Sequence, residues 1–149
     1  MRYLILAAVL FCCNMAWSQN KQHQTTDQIK SLNWDVIGTV KFELTEKNEL
    51  LPIYGSTINR FKGTEFDLKG YIIPVKNAQK HQKFLLATLP VNQCYFCGQN
   101  GVPMMIMVEL VSPIAFTDKP IRVKGILKLS NSNAAVEAPV SITNAKVII

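Results

Sequence analysis

After Gly63 the chain runs through five successive segments with the pattern of β-strands, and this run constrains the fold most strongly. In the segment Ile121–Leu129, apolar residues alternate with basic ones, which is the period of two typical of a strand buried on one face. No segment of helical periodicity separates the strands, so a parallel α/β sheet is excluded. The predicted strands are Thr64–Val75, Lys83–Leu89, Met104–Val111, Ile121–Leu129 and Val140–Ile149.

Glycines inside two of these strands predict a strongly bent sheet. Gly70 and Gly125 lie in mid-strand, where a missing side chain allows the sharp bend that a closing barrel requires. Five short, bent strands favour a small barrel of the oligomer-binding (OB) type, with a β-sandwich as the alternative. The segment Met104–Val111 is almost wholly apolar, which predicts a strand buried on both faces.

The residues before Gly63 predict an extra strand and a short helix. From Trp34 to Leu44 the even positions are apolar or glycine and most odd positions are polar, so this segment is predicted to be a strand. The next apolar segment contains Pro52, which argues against a central strand there. Ser56 is a plausible N-cap of a short helix that ends at Gly63. The predicted fold is therefore mainly β, a five-stranded OB-like barrel preceded by a strand and a short helix.

The first 18 residues resemble a leader rather than part of the folded protein. A basic start at Arg2 precedes an apolar run that ends in small residues near Ser18, the pattern of a cleaved signal peptide. A membrane anchor needs about 20 apolar residues, and this run is shorter. We therefore expect cleavage near Ser18 and a periplasmic or secreted protein that is not an integral membrane protein.

The mature chain is expected to hold one domain. Removing 18 of the 149 residues leaves 131, which suits a single OB-like β domain over residues 34–149, preceded by a flexible segment over residues 19–33. The formal charge is +6, but the lysines are scattered and no basic block occurs. This pattern favours a solvated surface over a nucleic-acid partner.

A cysteine pair, Cys94 and Cys97, lies in the segment N-Q-C-Y-F-C-G-Q-N-G-V-P between the second and third barrel strands. An oxidising compartment permits a disulfide there. No helix is predicted after Cys97, so a thioredoxin-like redox centre is disfavoured. Covalent haem attachment requires histidine at the position of Gly98, which excludes that role.

The same pair would supply two of the four ligands of a zinc site. A structural zinc site needs four ligands, and the histidines are His23, in the polar N-terminal segment, and His81. The strand Lys83–Leu89 separates His81 from the cysteines by about 20 Å at 3.3 Å per residue. His23, carboxylates or a second molecule are left as completing ligands.

Copper is the other metal candidate, because soft thiolate and thioether ligands suit Cu(I). Met104, Met105 and Met107 follow the cysteines, but strand alternation points Met104 away from the other two. Core packing is the alternative role for these methionines.

A structural disulfide is the alternative role for the cysteine pair. It would hold Tyr95, Phe96 and Gly98 at the tip of a loop between two strands. No serine, histidine and aspartate arrangement suggests a catalytic triad, so no catalytic residue is assigned and an enzyme is not expected.

Four landmarks in order carry a resemblance: G-Y-I-I-P-V from Gly70, F-L-L-A from Phe84, C-Y-F-C-G from Cys94, and V-K-G-I-L-K-L from Val123. This arrangement resembles a group of uncharacterised secreted OB-like proteins of Bacteroidetes-type bacteria. More loosely, the chain is similar to a periplasmic domain of unknown function found near metal-transport genes. That domain has histidine close to its cysteine, whereas this chain has Cys97.

Two functions are therefore expected as alternatives. The first is a secreted, non-catalytic OB-like binding protein with a soft metal ion, Zn or Cu, at Cys94 and Cys97. The second is a module that binds a protein, peptide or glycan and uses the cysteine pair as a structural disulfide. A homodimer is expected if two copies share the metal.

Overall fold

A computed structural model of the protein describes residues 28–90 and 104–148. The first part contains helix α1 (Leu32–Gly38), strands β1 (Lys41–Leu44) and β2 (Leu50–Ile53), and helix α2 (Ser56–Asn59). The barrel strands are β3 (Glu65–Pro74), β4 (Lys80–Ala87), β5 (Met105–Ala115), β6 (Ile121–Leu129) and β7 (Val140–Ile148). Neither helix of the described ranges has the length and apolar character needed to cross a membrane.

The five strands β3 to β7 form a closed barrel in the order β3-β4-β5-β7-β6, with β6 pairing back onto β3. Strands β5 and β7 are parallel, and every other neighbouring pair is antiparallel. The last strand is therefore inserted between two earlier ones. This architecture confirms the prediction of a small OB-like barrel that is preceded by an extra strand and a short helix.

Two glycines allow the barrel to close at this small size. Strand β3 pairs with β6 up to Gly70 and with β4 from the next residue onward. A Cβ atom at Gly70 would lie 2.6 Å from Cγ of Leu86 and 2.8 Å from the carbonyl oxygen of Ala87. At Gly125, beside a bulge between β6 and β7, a Cβ atom would lie 2.7 Å from the carbonyl oxygen of Thr143. Neither position has room for a side chain, so close approach of neighbouring strands accounts for both glycines.

The core consists of the inward-facing residues of all five strands, together with Trp34 and Ile37 of α1 and Ile58 of α2. Along β5 the inward residues are Ile106, Val108 and Leu110, and the residues between them face outward. The prediction that this strand is buried on both faces is therefore wrong. Its outward apolar side chains instead lie on the barrel surface, where Met105 is 39% exposed.

The predicted strand from Trp34 to Leu44 is wrong over its first part, because residues Leu32–Gly38 form helix α1. Ser31 is the N-cap, and its side chain accepts a hydrogen bond from the amide of Trp34. Trp34 and Ile37 are both buried, three positions apart on one helical face. Extended structure begins only at Lys41.

Helix α1 packs against one end of the barrel. The indole Nε1–H of Trp34 donates to the carbonyl oxygen of Lys69 at 2.8 Å. The side-chain Nδ2–H of Asn33 donates to the backbone carbonyl oxygen of Asp67 at 2.7 Å. The amide of Ile29 donates to the carbonyl oxygen of Thr88, just past the end of β4. These bonds fix α1 beside the strand end at which the cysteine segment begins.

Strands β1 and β2 form a separate two-stranded hairpin. The predicted turn T-E-K-N-E joins them, with the amide of Thr45 donating to the carbonyl oxygen of Glu49 at 2.9 Å. Asn48 adopts φ 59°, a left-handed conformation that asparagine tolerates in such turns. Pro52 lies in β2, outside the barrel, as its presence predicted. The short helix is also confirmed, with Gly55 rather than Ser56 as its N-cap.

Candidate functional site

The cysteine segment lies outside the described residues. This applies to Cys94, Tyr95, Phe96, Cys97 and Gly98, and to His23. The structure shows the two ends from which the segment departs: the amide of Thr88 donates to the carbonyl oxygen of Met104 at 3.2 Å. Chain connectivity therefore places the segment between β4 and β5.

His81 lies near the start of β4, opposite Ile114 of β5, and is buried. It is six residues from Ala87, or about 20 Å along the strand at 3.3 Å per residue. His81 is therefore remote from the strand end at which the cysteine segment starts. Within residues 28–90 and 104–148, no cluster of three histidine, cysteine or acidic side chains is arranged to hold a metal ion.

The three methionines point in the directions that strand alternation predicts. Met104 packs against the core, and its sulfur lies 3.1 Å from where a Cβ atom of Gly38 would be. Met105 and Met107 both lie on the outward face of β5. Core packing therefore accounts for the first methionine and not for the other two.

Four neighbouring strands carry a row of outward side chains across the barrel wall. Leu85 of β4 pairs with Met107 of β5, Met107 pairs with Ser141 of β7, and Ser141 pairs with Lys128 of β6. At about 4.8 Å between strands, the row is about 14 Å wide. The parallel β5–β7 pairing brings these residues together, although they are distant in sequence.

This wall forms the floor of a cavity of about 290 Å³, which we call the charged groove. Lys83 and Glu109 are cross-strand neighbours on its β4–β5 side. The residues that line the groove are Lys83, Met107, Glu109, Lys128, Val136, Glu137, Ala138, Ser141 and Thr143. Two lysines and two glutamates thus surround an apolar and hydroxyl-bearing floor.

The loop over residues 130–139 contributes Val136, Glu137 and Ala138 to the groove lining, and Tyr54 holds the two ends of this loop together. The phenol of Tyr54 lies within hydrogen-bonding distance of the carbonyl oxygens of Ser130 and Pro139, at the two ends of the loop. The amide of Ser130 also donates to the carbonyl oxygen of Pro139 at 2.9 Å. Burial raises the pKa of Tyr54, so the phenol keeps its proton and its donor role.

Glu137 is held ionised at the rim of the groove. Hydrogen bonds from the hydroxyls of Ser132 and Ser130, together with the positive charge of Lys83, lower the pKa of Glu137. Lys83 and Glu137 both line the groove, so a positive and a negative charge border the same cavity. The groove therefore presents both signs of charge to a ligand.

Thr143 adds an unsatisfied polar atom to the lining. Its Oγ1 is buried, and within the described part of the chain it has no hydrogen-bond partner. Buried polar atoms normally find a partner, since an unmade bond costs about 1–3 kcal/mol. A ligand group or a water molecule at the groove floor would satisfy this hydroxyl.

A larger, shallower groove of about 750 Å³ lies beside the bulge between β6 and β7. Its acidic and basic groups are already engaged in part, because Lys124 binds Glu65 at 2.8 Å. Among the described residues that line this groove, Lys146 is the one charged group outside that pair. The charged groove offers both signs of charge to a ligand and is therefore the stronger candidate site.

Comparison of the chain with protein-family models, with curated proteins and with solved structures found no match. The site consequently has to be interpreted from its own geometry. Sequence analysis missed the groove residues because Lys83 and Lys128 were interpreted as part of a scattered, solvated lysine surface. Alternation along Ile121–Leu129 predicted that Lys128 points outward, but only the order of the strands shows that Lys83 and Lys128 line the same cavity.

Proposed function

We propose that the protein is a secreted, non-catalytic OB-like binding domain whose charged groove binds an extended peptide segment bearing both a basic and an acidic side chain. The observation that carries this proposal is the arrangement of Lys83, Lys128, Glu109 and Glu137 around the apolar side chain of Met107. A peptide segment with alternating charged and small residues matches both the charges and the floor. Opposite charges across an interface favour the correct partner and exclude wrong ones.

Other ligands of OB barrels fit this groove less well. Single-stranded nucleic acid binds on aromatic side chains that stack against the bases. Among the described residues that line the charged groove, none is aromatic, and acidic side chains would repel a phosphate backbone. The volume of about 290 Å³ is at the lower end of the range for small-ligand sites, which suits one or two side chains of a peptide.

The proposal is tested with capped tripeptides and the mature chain, residues 19–149. We expect N-acetylated, C-amidated Lys-Ala-Glu to shift the amide NMR signals of β4, β5 and β7 and to bind more tightly than Lys-Ala-Lys or Glu-Ala-Glu. Lys83→Glu should weaken this binding about tenfold, because one attractive contact becomes repulsive. Lys119→Glu, in the exposed β5–β6 connection, is the control. Equal shifts for all three peptides, or none, would refute the proposal.

A soft metal ion at Cys94 and Cys97 is a second proposal, favoured by one described feature. Met105 and Met107 share the outward face of β5, so two thioethers follow the cysteine segment on one side of the sheet. Thiolate and thioether ligands suit Cu(I), and thiolates alone suit Zn(II). A second copy would supply further thiolates if the site joins two molecules.

The metal proposal is tested by titrating the reduced mature chain with Zn(II) and Cu(I) and weighing the complex by native mass spectrometry. Binding tighter than about 1 µM that is lost in a Cys94→Ser, Cys97→Ser variant supports a metal site. A single intramolecular disulfide and no such binding would instead assign the pair a structural role. The mass distinguishes one copy per metal from two.

A further inference from the structure

The hairpin formed by β1 and β2 exposes apolar side chains that the barrel does not cover. Phe42 is 47% exposed and Leu44 is 65% exposed, and both lie on the same face of β1. Their cross-strand partners, Pro52 and Leu50, lie on that face as well. Two-stranded hairpins are marginal in water, and further strands normally stabilise them.

The hydrogen-bonding pattern shows which backbone groups of β1 point away from β2. The Thr45–Glu49 pair is hydrogen-bonded, and hydrogen-bonded pairs alternate with non-bonded ones along an antiparallel ladder. The N–H and C=O groups of Phe42 and Leu44 therefore point outward from the hairpin. In the described part of the chain these groups have no partner, because β1 is an edge strand.

The opposite edge of the hairpin is protected. The carbonyl oxygen of Leu50 accepts from the amide of Ala134 at 2.8 Å, and the amide of Leu50 donates to Oδ1 of Asn133 at 3.2 Å. Pro52, the next residue of β2 that points outward, has no N–H group. Proline and covering loops are the usual protection of sheet edges, and within residues 28–90 and 104–148 β1 has neither.

We propose that two copies of this chain associate by antiparallel pairing of their β1 strands, in the register that places Phe42 opposite Phe42 of the second copy. In this register Lys41 of each copy faces Glu43 of the other, so two pairs of opposite charge form about one twofold axis. Phe42, whose backbone groups point outward, makes the hydrogen-bonded pair at the centre. Opposite-charge and aromatic cross-strand pairs are both favourable.

The neighbouring allowed register is excluded by charge. Shifting the strands so that Phe42 faces Leu44 keeps the outward backbone groups paired, but it places Glu43 directly opposite Glu43 of the second copy. Like charges in that position destabilise a sheet. The sequence K-F-E is therefore self-complementary in one register only.

The association stops at two copies. The new sheet has the order β2-β1-β1-β2. In both outer β2 strands Leu50 is hydrogen-bonded to the loop over residues 130–139, and Pro52 has no N–H group to donate. The interface is thus isologous and closed, and it does not propagate into a fibre. It uses neither the cysteine segment nor the charged groove, so it is independent of the proposed functions above.

The test is a charge exchange in the mature chain, with self-association measured by sedimentation equilibrium from on the order of 10 µM to 1 mM. Lys41→Glu and Glu43→Lys should each weaken dimerisation about tenfold, since both ion pairs become repulsive. The double variant carrying both changes should recover it. A mixture of the two single variants should form heterodimers, because each supplies the charges that the other lacks. Lys47→Glu, in the hairpin turn, is the control.

Leu44→Pro gives a second, independent test, because it removes an outward N–H group that has no partner within the hairpin. We expect this variant to keep the far-UV circular dichroism of the parent and to lose dimerisation. A parent chain that is monomeric at 1 mM would overturn the proposal. Dimerisation that is unchanged in both single variants, Lys41→Glu and Glu43→Lys, would overturn it as well.

Discussion

Replacing Gly125 with alanine should strongly destabilise the barrel, because β6 and β7 leave no room for a side chain at this position. The added Cβ atom would lie 2.7 Å from Cγ2 of Ile142, 2.7 Å from the carbonyl oxygen of Thr143 and 2.8 Å from Cα of Ala145. Ordinary contacts at these atoms begin near 3.4 Å, so β6 and β7 would have to separate by several tenths of an ångström. Two of the three atoms belong to the backbone and cannot rotate away.

The magnitude follows from the kind of atom that is contacted. Inserting a methyl group into a packed site costs about 1–3 kcal/mol, and backbone contacts place this site at the upper end, near 3 kcal/mol. For a domain of this size 1 kcal/mol corresponds to about 4 °C, so the melting temperature should fall by about 12 °C. For residues 19–149, differential scanning calorimetry measures the fall in melting temperature and urea titration measures the change in the free energy of unfolding.

Gly55→Ala is the matched control, because a Cβ atom there meets nothing within 4 Å. Its change in unfolding free energy should stay below about 1 kcal/mol, the effect of alanine at a helix N-cap. Ile142→Ala combined with Gly125→Ala should not restore stability, since the backbone contacts persist. A fall of less than about 3 °C for Gly125→Ala would refute the close approach of β6 and β7.

Three further predictions concern single side chains. Trp34→Phe should lower the free energy of unfolding by about 2 kcal/mol in urea titration, because the hydrogen bond to Lys69 and part of the buried ring are lost. Because the pKa of Tyr54 is raised in the folded state, the protonated phenol contributes stability at pH values below 10.0, and this contribution is lost as the pH rises through the folded pKa. Above pH 9 the urea midpoint of Tyr54→Phe should therefore fall less steeply with pH than that of the parent. Ser132→Ala should raise the pKa of Glu137 toward its ordinary value of 4.5, as followed by NMR titration of the carboxyl carbon, and an unchanged pKa would contradict the assigned hydrogen bond.

The barrel was predictable because its strand signals are local. Alternation along Ile121–Leu129 reports which side chains face inward, and the glycines at 70 and 125 report where the backbone must bend or approach closely. The parallel pairing of β5 with β7 could not be predicted, because the hydrophobic pattern of a strand shows which side chains face inward but not which strand lies beside it. The charged groove depends on that pairing and was missed with it.

Helix α1 was mistaken for a strand because a short amphipathic segment can satisfy both periods. Apolar residues at 34, 36, 38 and 40 suggest alternation, but Ile37 broke the pattern and was the sign of a helical face with Trp34. Ser31, three residues before the tryptophan, was an unused N-cap signal. Seven residues are too few for periodicity alone to decide between helix and strand.

The insertion of β7 between β5 and β6 has a consequence for the way the protein folds as it is made. Until Val140–Ile148 is available, β5 and β6 each expose an unpaired edge, and among the strands that the structure describes no earlier one fills the place of β7. Barrel closure therefore has to wait for the C-terminal strand, and the contacts that close it are far apart in sequence, which slows folding. During this interval the open edges are available to other chains. A chain interrupted before Val140 would lack the strand that joins both sides of the barrel, and we expect it to aggregate rather than fold.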